Sequence, residues 1–175
     1  MLQAEYIPLA IAKLPFKKLT LGFRVINIIQ PENLVDEQEV YRQNLSGATL
    51  MRGREGDWQP SWMVIATDEL GLPIFTDINK PNLPIYTATR EEDDSWKVYY
   101  IATSLELYFL FLEMLHKVSD GRETVAEMEL NPIPEIISEA ILNDIEKKCP
   151  DIDLWYWELF MESFRVDEIP EEGEE

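Results

Sequence analysis

GDWQPSWMVIATDELGLPIFTDI, residues Gly56–Ile78, decides how this chain folds. Its centre, WMVIAT (Trp62–Thr67), has no polar side chain before Thr67, as a strand covered on both faces requires. DELG then supplies turn residues, with Gly71 free to take positive φ. LPIFTDI restarts as a strand, and Pro73 is tolerated near its beginning or on an edge. Asp68, Glu69 and Asp77 stand where turns and strand ends need them, and the apolar run carries no group that could react. The stretch reads as architecture.

The pattern continues on both sides. FRVINIIQ (Phe23–Gln30) is β-branched and apolar, a strand. PENLVDEQEVYRQN carries a modest helical stripe behind an acidic first turn, and SGATLMRGREGD is a loop. Past Ile78, the turn NKPN, the strand LPIYTATR, the charged tip EEDD and the strand SWKVYYIA complete an antiparallel meander. Thr103 to His116 then switches to helical spacing, with Thr103 and Glu106 matching a capping box. A second helix has Pro134 at its first turn, and Ile133, Ile136, Ile137, Ala140, Ile141 and Ile145 form its apolar stripe. A third, DIDLWYWELFMESF, is two-faced: Ile152, Trp155, Tyr156, Leu159 and Phe160 on one side, Leu154, Trp157 and Met161 opposite. The expected fold is α+β, a twisted, mainly antiparallel sheet of about five strands with helices packed on it and a helical acidic C-terminal extension. We read 1–175 as a single domain, with a core over 23–118, the helical extension over 119–165 and an acidic tail over 166–175.

Charge is the strongest compositional fact. The 175 residues carry 15 basic and 34 acidic side chains, a net charge of −19. Residues 1–118 account for −5 of it and residues 119–175 for −14. Such a surface repels nucleic-acid phosphates and attracts a basic protein at long range. The single Cys149 rules out an intramolecular disulfide. The first residues make a poor signal peptide, and no apolar run reaches the roughly 18 residues of a membrane span. These features point to a soluble, cytoplasmic protein without a membrane partner.

The order of motifs resembles the SUKH superfamily. The residues that carry the likeness are Trp58, Trp62 to Thr67, Asp68 with Gly71, Pro73 to Ile78, Pro84 to Tyr86, Trp96, and Ile101 to Ser104. They lie between Phe23 and His116. One departure is that LPFKKLTLG, with Leu14, Pro15 and Gly22, lacks the acidic helical character of the family's N-terminal motif. The resemblance implies a binding module without catalytic residues or cofactor, typically an immunity protein that neutralises a cognate toxin, often a nuclease. A regulatory or scaffold protein with no toxin target is the alternative.

No enzyme constellation emerges. His116 closes a hydrophobic helix, GREGD (Gly53–Asp57) lacks the context of a phosphate loop, and Ser104 sits at a helix start outside any G-x-S-x-G. Asp151 and Asp153 read as a helix cap and dipole complement rather than as metal ligands. Trp62 and Trp96 read as core. The candidate partner-binding residues are the acidic tip Glu91, Glu92, Asp93 and Asp94, together with Trp58 and Trp157 as aromatic anchors. The partner expected is a toxin with a basic surface; monomer and homodimer are both open.

Overall fold

A computed structural model of the chain describes residues 2–162. The acidic tail and the end of the expected extension lie outside the described residues. The elements run α1 (Gln3–Ala12), β1 (Lys18–Leu21), β2 (Arg24–Ile28), α2 (Glu39–Arg42), β3 (Trp62–Asp68), β4 (Pro73–Asp77), β5 (Ile85–Arg90), β6 (Trp96–Ala102), α3 (Leu105–Ser119), α4 (Val125–Leu130), α5 (Glu135–Lys148) and α6 (Trp155–Met161). The strands form one open sheet in chain order, each antiparallel to its neighbour. The fold is α+β, as expected. The strand beyond the expected five is β1, joined to β2 by the two-residue loop Gly22–Phe23, in which Gly22 takes φ +60°.

The sheet has one covered face and one partly open face. Leu19, Ile26, Ala66, Ile74 and Ile85 are fully buried and share the covered face, against which α3 lays Tyr108, Phe111, Leu112 and Leu115. Trp62, Phe75, Tyr86 and Tyr100 share the other face, and the segment between β2 and β3 folds back over part of it through Tyr41 and Trp58. A bulge between Val64 and Ala66 sits in the central strand β3.

Beside that bulge a side chain takes the place of a strand. Pairing between β2 and β3 covers Ala66 to Asp68 and does not reach Val64. The carboxamide of Gln38 fills the gap: its Nε2 donates to the Val64 carbonyl at 2.9 Å, and its Oε1 accepts from the Val64 N–H at 2.7 Å. Nε2 also donates to the Leu34 carbonyl at 2.7 Å. Gln38 is buried, so these backbone groups have no water to turn to.

The helices correct several expectations. The N-cap of α3 is Ser104, whose Oγ accepts from Leu107 N at 3.1 Å, not Thr103. Glu106 instead accepts from the Tyr6 hydroxyl, and Thr103 Oγ1 lies 3.2 Å from Cys149 Sγ. The segment before α5 contains α4, closed by a reciprocal Thr124–Glu127 capping box. In α5 only part of the stripe is buried: Ile141 and Ile145 pack inward, as does Ile133 just before the helix, while Ile136, Ile137 and Ala140 face solvent.

Helix α6 buries residues from both of the expected faces. Its buried side is Tyr156, Trp157, Phe160 and Met161, while Trp155 is 39% exposed and lies edge-on to Tyr99. The reason is long-range. Trp157 Nε1 donates to the Ile101 carbonyl at 2.8 Å, the Tyr156 and Tyr108 hydroxyls meet at 3.2 Å, and Phe160 stacks under the Arg24 guanidinium. Arg24 is in turn held by Glu69 at 2.6 Å.

Candidate partner-binding surface

The tip of the β5–β6 hairpin is exposed, but turn geometry uses half of its carboxylates. Asp93 Oδ1 accepts from the Ser95 N–H at 3.0 Å and from the Ser95 hydroxyl. These bonds, ahead of the opposing effect of desolvation, hold its pKa below the ordinary carboxylate value. Asp94, at φ +64°, pairs with Arg90 at 2.9 Å. Glu91 and Glu92 alone reach solvent without a partner within the tip.

A cationic loop lies beside them. Arg52 and Arg54 converge on the buried Asp57, at 2.7 and 3.3 Å, and the Gly56 carbonyl accepts from Trp96 N at the base of the hairpin. The tip is therefore a mixed-charge surface rather than the purely acidic patch its sequence suggests. Gly56 is required here: it holds φ +80°, and a Cβ would stand 3.0 Å from Ser95 Cβ. Gly56→Ala is expected to cost about 1–3 kcal/mol, read from urea denaturation, because strain adds to the clash.

Burial pushes the Asp57 carboxyl upward, but the Arg54 N–H and the Arg54 and Arg52 guanidiniums outweigh it, so its pKa lies below the ordinary 3.8. A carboxylate depressed in this way stabilises the fold above its unfolded pKa, and the contribution is lost as pH falls through the folded value. Asp57→Asn removes it. The stability gap between the natural chain and this variant is therefore expected to close as pH drops below about 4, measured by denaturation at stepped pH.

The two tryptophans chosen as anchors are not at the surface. Trp58 is 1% exposed, stacked on Tyr41 and in contact with Trp62, Phe75 and Trp96; Trp157 is 0% exposed under α3 and the β6 edge. Neither presents a ring to a partner, because each loop or helix folds back onto the sheet. Asp153 is corrected too. It does not cap α6; its N–H donates to the Tyr100 carbonyl at 2.7 Å and its carboxylate accepts from Tyr100 N at 2.9 Å, so it pairs with the outer edge of β6. His116 is exposed in the last turn of α3, stacked 4.3 Å from Phe16. Among the described residues no group of three or more His, Cys, Asp or Glu side chains is placed to share a metal ion, and no helix is long and apolar enough to cross a membrane.

The register also builds a surface that no local pattern announces. Trp62, Phe75, Tyr86 and Tyr100 form a ladder of rings across β3 to β6, with centroids 4.7, 5.7 and 5.4 Å apart. Phe75 is buried, the other three rings are half-buried, and Lys80 Nζ lies over Tyr86. Comparison with protein-family models, with curated proteins and with solved structures finds no match.

The most strongly charged surface is α4 to α6. Residues 119–162 hold twelve carboxylates against three cationic side chains. Between α5 and α6 lies an open groove of about 410 Å³, floored by Ile133, Leu142 and Met161 and walled by Glu135, Glu139 and Glu158. An apolar floor under an acidic rim offers burial and long-range attraction to one cationic partner.

Proposed function

We propose that this protein works by binding another protein: that it is an immunity protein of SUKH type, which sequesters a cognate toxin domain bearing a basic surface. The observation that carries the reading is the concentration of carboxylates on α4 to α6, beside the apolar groove of the same helices. Steering by such a field raises association rates, and blocking is steric, so no group on this chain has to react. The order of strands and turns that resembles the family supports the same reading.

The test is co-purification with the product of the adjacent upstream gene, followed by growth rescue of cells expressing it. Binding with rescue is the expected result. Charge reversal at Glu91 and Glu92, set against reversal on α4 to α6, assigns the surface. The helical face is expected to weaken binding more, since Arg52, Arg54 and Arg90 already offset the tip. Failure to bind any neighbouring toxin domain, with no rescue, would sink the proposal.

A further inference from the structure

The two edges of the sheet are closed differently. On β6, Trp96 N donates to the Gly56 carbonyl at 2.6 Å and Asp153 takes both backbone groups of Tyr100, so partners within the chain stand along that edge. On β1 the outward positions follow from a bond made by its neighbour. Val25 N donates to Glu69 Oε2 at 3.0 Å, away from β1, and Thr20 is the residue opposite Val25. Both members of such an antiparallel pair turn their N–H and C=O away from each other, so Thr20 presents its own to the outside, as does Lys18 two residues before it. Gly22, the next outward position, donates to the Arg122 carbonyl at 2.8 Å. Among the described residues nothing pairs with the outward groups of Thr20 and Lys18.

Donors and acceptors set out at strand spacing are matched by an extended backbone and by little else. Charge selects which one. Residues 6–31 carry four cationic side chains and no carboxylate, in a chain of net charge −19. Lys17 and Lys18 are exposed on the edge itself and leave it on opposite faces. His116, stacked on Phe16, brings the exposed Lys117 to the start of the strand. Among the described residues none of these three lysines is in an ion pair. A second copy pairing edge to edge would set lysines against lysines. Nucleic acid and anionic lipid suit the lysines but not the ladder, and the rest of the chain repels them. The chain's own residues 163–175 are acidic, but they follow α6, whose Phe160 lies under Arg24 at the hairpin end of this edge, and that end is the one Arg122 closes.

We infer that the outer edge of β1 receives an extended acidic segment of a partner protein as an added strand, its backbone on Thr20 and Lys18 and its carboxylates against Lys17, Lys18 and Lys117. Phe23, 47% exposed in the hairpin loop, offers an apolar contact at the other end of the edge. This goes beyond the binding reading above, since it uses a different face and a segment of opposite charge. Neither inference rests on the other.

The probe is a synthetic peptide of about ten residues, the length of a long strand, blocked at both ends and alternating glutamate with valine and threonine. One control carries lysine in place of glutamate. The other keeps the glutamates but is N-methylated at alternate amides, which removes the ladder and leaves the charge. Titrated into the full chain at physiological salt, the glutamate peptide is expected to shift amide resonances within 17–23 and to slow hydrogen exchange at the Thr20 and Lys18 amides. N-methylation is expected to weaken it about tenfold or more, because the backbone bonds are lost. Lys17→Glu with Lys18→Glu is expected to weaken it by a similar factor with the melting curve unchanged, since both side chains are exposed. Equal binding of the N-methylated peptide or of the lysine peptide would overturn the proposal, as would shifts that bypass β1. Nuclear Overhauser contacts from residues 163–175 to Thr20 in the free chain would also overturn it, giving the edge to the protein's own chain. Absence of any toxin partner sinks the immunity reading and leaves this titration to decide the edge.

Discussion

Trp157→Ala is expected to remove about 4 kcal/mol of stability, the cost of a large buried ring exchanged for a cavity. The position admits little relaxation. The ring is in contact with Tyr108, Phe111, Tyr156 and Phe160, and its N–H satisfies the Ile101 carbonyl at the sheet edge. For a chain of this length that corresponds to a fall in Tm of roughly 8–16 °C. Trp155→Ala, by contrast, loses one edge-on contact with Tyr99 and should cost only about 1 kcal/mol. Urea denaturation of the two variants side by side makes the comparison. A Trp157→Ala protein that melts within 2 °C of the natural chain would mean that α6 is not docked by this ring.

Gln38→Leu is expected to cost about 3 kcal/mol or more, because one amide satisfies three buried backbone groups and a leucine satisfies none. Gln38→Glu serves as the sharper variant. Its carboxylate can still accept from Val64 N, but it places negative charge against the Val64 and Leu34 carbonyls, so it should be no more stable than the leucine. Hydrogen exchange locates the effect: protection should be lost first at the Val64 amide, with Ala66 and Thr67 keeping theirs. If Val64 exchanges at the same rate in all three proteins, the glutamine is not acting as a surrogate strand.

Strands β2 to β6 were legible because apolar runs alternate with turn residues that permit little else. β1 was not, since KLTL is four residues long behind a basic stretch and owes its strand to pairing with β2. The faces of α6 were unreadable for a different reason: from Leu154 to Met161 every residue but Glu158 is apolar, so no period exists to choose a side. The candidate site was less legible than the fold. Acidity over residues 119–162 is visible in composition, but the groove exists only because α5 and α6 come to lie side by side. Trp58 sits in a loop whose local sequence gives no sign that it folds back onto Phe75. Asp153 opens a helix like any capping residue, and its partner is 53 residues away. The aromatic ladder needs the register, because Tyr86 and Tyr100 become neighbours only when β5 and β6 pair.

That pairing of Asp153 with Tyr100 has a bearing on how the chain is made. During synthesis the N-terminal part emerges first, and every strand of a meander finds its partner in the segment just before it, so the sheet can close up to β6 early. The outer edge of β6 is then bare until residue 153 has left the ribosome, with an apolar, aromatic strand ready to pair with any other unpaired strand nearby. An unpaired strand edge of this kind is an aggregation hazard, and a chain truncated ahead of Asp153 would keep it.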